Sequence, residues 1–173
     1  MERIVKLTEL FIAEIDREAP LTRRQLEAYP QGRDDWKPHA KSMAFGRLAS
    51  LVAMMPAWMA MEIEDDEFDL APASGAPSKF AQQFKTGAEM AKAMDEGFAA
   101  TRKALQATTD EHLMKTWRLK MKGNVVSEGP RHVMLRDTLM HLSHHRGQLT
   151  VYLRLNDVKV PAIYGPSADD QRF

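Results

Sequence analysis

HLSHHRGQLTVYLRLND, residues 141–157, carries the clearest helical pattern in the chain. Upstream it continues as RHVMLRDTLM, and Pro130 in front suits the first turn of a helix because its missing N–H is not needed there. Leu135, Leu139, Leu142, Leu149 and Leu153 recur at helical spacing and make one apolar stripe, so a helix is expected from Pro130 to about Leu155. His141 and His145 are one turn apart and project from the same side, on a stripe beside the apolar one that also carries Met134, Thr138, Gln148 and Tyr152. His144 faces elsewhere, roughly with Asp137 and Val151, and reads as exposed or outside any ligand set. Two imidazoles at this spacing can chelate zinc or nickel. A polar stripe flanking a core is equally well explained as hydrogen-bonded structure, and spacing alone leaves both readings open.

Working outward, Ile4, Leu7, Phe11 and Ile15 mark a first helix over residues 2–27, with Pro20 expected to kink or restart it. Pro30, Gly32 and Pro38 mark a loop. A second helix is expected from a Ser42 cap to about Ile63, with Phe45, Leu48, Val52, Met55 and Met59 on a bundle-type seam, Leu51 and Trp58 widening it, and a bend at Pro56. Residues 64–77 read as a connecting loop whose acidic start is a solvated surface. A third helix is expected from about Ser78 to Gln106 with Phe84, Ala91, Met94, Phe98 and Leu105 on one stripe, where Gly87 allows close helix approach. Trp117, Leu119 and Met121 alternate with Arg118, Lys120 and Lys122 ahead of Gly123-Asn124 and Val125-Val126, the pattern of a short β-hairpin. The tail from Asn156, with Pro161, Gly165 and Pro166, is expected to wrap the helices as ordered loop. Residues 1–173 therefore read as a single all-α domain, a four-helix bundle with a β-hairpin before its last helix.

Composition narrows the function classes. The chain has 173 residues, enough for a sizeable core, with 44% hydrophobic and 28% charged residues. Lys plus Arg equals Asp plus Glu at 24 each, so neither nucleic acid nor an anionic membrane is an expected partner. No cysteine is present, which removes disulfides, thiolate metal sites and a cysteine nucleophile and suits the cytoplasm. No signal peptide is apparent, and the weakly polar run from Leu48 to Met61 is too short to span a bilayer. A Glu-x-x-His pair for a di-iron bundle, a Gly-rich phosphate loop, a Gly-x-Ser-x-Gly elbow and a His-Glu-x-x-His helix are all missing. Methionines such as Met54 and Met55 read as adaptable core filling. His39, His112 and His132 are isolated and receive no role.

Trp36-Lys37-Pro38-His39, Lys41-Ser42-Met43 leading into Leu48, HLSHHRGQLTVYLRLND, and Val160-Pro161 with IYGPSADD together resemble DinB-like proteins over nearly the whole chain, most strongly from His141 to Asp169. The resemblance implies a four-helix bundle with a zinc or nickel ion near one end, held by one histidine on the second helix and two at i, i+4 on the last. It implies homodimers, and for some relatives activation of a low-molecular-weight thiol for transfer to electrophiles, while others are described as hydrolases. Carried over, the last-helix ligands are His141 and His145, and the second-helix ligand falls on Leu51, with the acidic residue one turn later falling on Met54. With two of three ligands kept, a divalent metal is expected to bind weakly or not at all, because an aliphatic neighbour solvates its charge poorly. The expected function is that of a DinB-like protein with a partly degenerate metal site and room for a small-molecule ligand. The alternative is a metal-dependent thiol transferase or hydrolase acting on a small electrophile.

Overall fold

The structure is a computed structural model that describes residues 5–72 and 82–172. Five helices and three strands occur among them: α1 (Leu7–Glu27), α2 (Phe45–Glu64), β1 (Glu67–Asp69), α3 (Gly87–Ala107), α4 (Asp110–Leu113), β2 (Thr116–Met121), β3 (Asn124–Pro130) and α5 (Arg131–Leu155). The architecture is mostly helical, as expected, but the count differs: a single-turn α4 joins the four long helices, and the hairpin has gained a third strand. α2 packs against α3 and α5, and α1 packs against the same two helices. None of the described helices is long and apolar enough to cross a membrane.

The seam of α2 is buried as its spacing predicts: Phe45, Leu48, Val52, Met55 and Met59 are all essentially inaccessible. α2 nevertheless starts at Phe45, not at a Ser42 cap. Its first amides are met by the preceding loop instead, Phe45 N–H donating to Trp36 O (2.9 Å) and Gly46 N–H to Asp34 O (3.0 Å). Those bonds satisfy orphan donors that a capping hydroxyl would otherwise take. The loop is anchored by Trp36, whose ring meets Phe45 and Tyr152 edge-on. α1 and α2 both continue through their prolines, so Pro20 does not restart the first helix.

α3 also begins later than its apolar stripe suggests. Thr86 and Glu89 form a reciprocal capping box, which sets the start at Gly87 and leaves Phe84 ahead of the helix with its N–H on Ser50 Oγ. The expected start near Ser78 lies outside the described residues. Close approach at Gly87 is real: a Cβ there would stand 2.4 Å from Leu26 O of α1. Gly97 plays the same part against α2, where a Cβ would come within 2.8 Å of Ala57 N.

β2 and β3 form the expected antiparallel hairpin, turning through Lys122 (φ 51°) and Gly123 (φ 79°), both left-handed. β1, read from sequence as solvated loop, pairs parallel with β2 from Glu67–Arg118 to Asp69–Lys120. Two contacts explain the difference. Asp69 accepts the N–H groups of Lys122 and Gly123, and the buried Arg131 at the start of α5 donates to Asp65 O, Thr116 O and Asp66 Oδ1. Arg131 thus draws the acidic segment onto the hairpin.

The tail wraps the helices through its own acids. Asp169 accepts from Val160 N–H and pairs with Arg154, while Asp170 accepts from Ala162 N–H. Tyr164 Oη and Arg146 both donate to Glu18 Oε2 of α1, and Arg146 also donates to Thr22 Oγ1. Arg146 is 1% exposed and occupies a place in the apolar stripe of α5 between Leu142 and Leu149. Removing one partner of a buried ion pair strands the other, at a cost of about 3–5 kcal/mol. Arg146→Met should lower unfolding stability by that order in urea titrations, and adding Glu18→Gln should recover part of the loss.

Candidate functional site

α5 carries the histidines, and the inward Arg146 sets its rotation. With Arg146, Leu142 and Leu149 in the core, His141 and His145 fall at the border between core and solvent. Their Nε2 atoms converge to 2.8 Å and their ring centroids to 4.6 Å. His145 Nδ1 lies 2.7 Å from Gln148 Oε1. The amide oxygen can only accept, so His145 carries its proton on Nδ1 and presents a lone pair at Nε2. His141 then donates Nε2–H into that lone pair. Gln148 continues the chain by donating to His144 Nε2 (3.0 Å). His144 itself is exposed, as its position predicts, though its ring edge meets that of His145. Partial burial holds both His141 and His145 below the usual imidazole range. Mutual repulsion with His145 and His144 adds to this for His141, and at His145 the Gln148 contact opposes it.

His141 also lines a cavity of about 520 Å³ between α2, α5 and the sheet. Leu51 and Arg47 of α2 share its wall with His141, as do Trp58 and Glu62 further along the same helix. Trp58 meets the His141 ring at 6.1 Å. Trp117 and Leu119 of β2, Phe68 of β1, and Met134, Asp137 and Thr138 of α5 close the rest. β1, unforeseen in the sequence, therefore supplies part of the site.

The other histidines are spoken for elsewhere. His39 turns back on its own loop, its Nδ1 accepting from Lys41 N–H. His112 donates to Ile63 O (2.8 Å) and His132 to Leu113 O (3.2 Å), which ties α4 to its neighbours. Met54 is half-buried on α2 and is not among the cavity-lining residues.

Does this donor set suit a divalent metal? The tautomer of His145 does, since an outer hydrogen bond to Nδ1–H is how a ligating imidazole is usually oriented. The remainder does not. Two nitrogens on one tetrahedral zinc stand roughly 3.3 Å apart, given bonds of about 2.0–2.1 Å, whereas 2.8 Å matches a shared proton. Leu51 offers no lone pair, Arg47 brings positive charge, and Asp137 is paired with Arg136 at 2.9 Å. Among the described residues no group of three or more His, Asp or Glu is placed to hold an ion. The residues present do not fit a three-ligand catalytic metal.

Residues 5–172 match the DinB family. The chain belongs to that family. Two solved DinB-like proteins share its fold: one from Bacillus cereus ATCC 10987 (TM-score 0.67, 21% identity, covering 89% of this chain and 95% of that one) and one, YjoA, from Bacillus subtilis (TM-score 0.65, 19% identity, covering 94% and 99%). A curated relative, the uncharacterized protein YrdA of Bacillus subtilis strain 168, is 30% identical over 100 residues, 58% of this chain. The match spans about half, 54%, of that relative's length. DinB-family membership thus accounts for the fold, and the site must be read from its own side chains.

Glu62 is the functional candidate that sequence reasoning passed over. It is 5% exposed, accepts from Thr138 Oγ1 (2.6 Å) through Oε1, and is pushed up to about 8 by burial, with the Thr138 bond opposing and the Asp137 charge adding. A signal was present: Arg47, Leu51, Trp58 and Glu62 follow at steps of four, seven and four, which put one acid on the cavity face of a largely apolar helix. Between about pH 4.5 and 8 the unfolded chain has lost this proton while the folded one keeps it, so stability falls as pH rises through that window. Glu62→Gln should flatten the fall. At pH 8 it should be more stable than wild type by roughly 2–4 kcal/mol in urea unfolding, with little difference at pH 4.

Proposed function

We propose that this DinB-family protein has a partly dismantled metal site and works as a small-molecule-binding bundle without strong metal-dependent catalysis. The observation that carries the reading is the wall around His141. Where a third imidazole is expected, the cavity has Leu51, with cationic Arg47 one turn away. The two remaining imidazoles are engaged with each other and with Gln148. A bound metal would generate a nucleophile by lowering the pKa of its water or thiol, which needs enough protein ligands to hold it and an open position besides. Two imidazoles meet the second condition better than the first.

The alternative, a metal-dependent transferase or hydrolase acting on a small electrophile, draws on one observation: His141 and His145 do converge on a common point, with His145 in the right tautomer. Elemental analysis of untagged protein separates the two. After dialysis, wild type should retain well under one equivalent of zinc or nickel. Leu51→His should raise retention toward one equivalent, and His145→Ala in that background should abolish it. A full equivalent in wild type, lost in His145→Ala, would establish the enzyme reading instead.

A further inference from the structure

The cavity beside His141 is long, and its two ends differ. Arg47 and Glu62 both line it and stand fifteen residues apart on α2, roughly 22 Å along the helix axis. Much of the remaining wall is apolar, with Leu51 and Trp58 on α2, Met134 on α5, and Phe68 and Leu119 on the sheet. All five are only half-buried, so each keeps accessible surface. A volume of about 520 Å³ is in the ordinary range for small-molecule sites.

Charge is spread unevenly along this groove. Glu62, at one end, is 5% exposed and accepts from Thr138, while Asp137 of α5 accepts from Arg136. At the other end Arg47 is solvent-exposed and pairs with no acid among the described residues. An exposed, flexible guanidinium reaches a ligand without disturbing the core, and its planar fork matches a carboxylate. On an open surface such an arginine would mean little. Here it stands at the head of an apolar groove, at the opposite end from Glu62. An anionic head group is drawn to the Arg47 end, and an apolar body has the rest of the groove to fill. A cationic ligand fits less well, because Asp137 is already paired and Glu62 has little accessible surface.

We infer that the groove between α2, α5 and the sheet binds a medium-chain fatty acid, with its carboxylate on Arg47 and its chain running past Leu51 and Trp58 toward Phe68 and Leu119. This names the ligand class for the small-molecule reading above, and it rests on that reading in having no resident metal beside Leu51 to take the carboxylate.

The test titrates metal-stripped full-length protein with sodium decanoate, 1-decanol and decylammonium. Calorimetry and tryptophan emission report binding, since Trp58 and Trp117 both line the groove. Decanoate should bind saturably at one site, roughly tenfold tighter than decanol. From hexanoate to decanoate, each added methylene should tighten binding about three- to fourfold. Arg47→Gln should weaken decanoate about fivefold and leave decanol unchanged, whereas Arg47→Lys, which keeps the charge, should recover part of the loss. Leu51→Trp, which fills the groove, should abolish binding of both. Equal affinity for decanoate and decanol overturns the inference, as does absence of saturable binding. So does tighter binding of decylammonium than of decanoate, an Arg47→Gln variant that binds decanoate as wild type does, or indifference to Leu51→Trp or to chain length. Arg47 is exposed, so its replacement leaves the core intact. If Leu51→Trp does not fold, the Arg47 variants and the chain-length series decide. Metal content measured on the dialysed sample before stripping keeps the two readings apart. A retained equivalent refutes the degenerate site whatever the decanoate affinity, and loss of the preference for decanoate over decanol refutes the ligand class with a metal-poor site intact.

Discussion

A guanidinium buried in the middle of an apolar stripe has few orientations open to it, and Arg146 shows the consequences throughout this protein. It is 1% exposed and must bring its charge to Glu18, its remaining donors to Thr22 and Tyr164, and its helix with it. Both α5 and the tail are thereby registered against α1. An isolated buried charge would be prohibitively costly, so the rotation of α5 about its own axis is strongly constrained. His145 is the residue before Arg146 and His141 lies one turn earlier. Their position at the core boundary follows from that constraint.

Arg131 does similar work at the other end of α5. Its contacts to Asp65, Asp66 and Thr116 pull the chain after α2 onto the hairpin, and the strand formed there contributes Phe68 to the cavity. The site is thus bounded by an element with no apolar pattern of its own. Stability and site geometry share these two buried cations, while the chemistry of the cavity depends on what lies between them: a buried acid whose proton is held by desolvation and a histidine pair closed on itself.

Leu51 beside His141 and the pairing of His141 with His145 are compatible in physical terms. Once the imidazoles hydrogen-bond to each other and to Gln148, they are satisfied without a metal. Two imidazoles one helical turn apart can therefore be held as hydrogen-bonded structure, which is why histidine spacing by itself is poor guidance to metal binding.

Much of this was legible in the chain alone. The four long helices follow from apolar residues at steps of three and four, and the hairpin follows from alternation around a glycine-containing turn, because local period and backbone preference act over a few residues. The convergence of His141 and His145 is likewise set by one helical turn. Other features needed the folded molecule. β1 has three residues and an acidic start, and it forms only because Arg131 and the hairpin, distant in sequence, offer partners. The start of α2 was moved by carbonyls from the preceding loop, and that of α3 by a threonine–glutamate box whose force the apolar stripe hid. Whether Glu62 lay in water or in the core was not decided by its neighbours in sequence. Its burial, its retained proton and its place in the cavity wall arise from packing α2 against α5 and the sheet, since desolvation is a property of the surroundings and only tertiary structure supplies them.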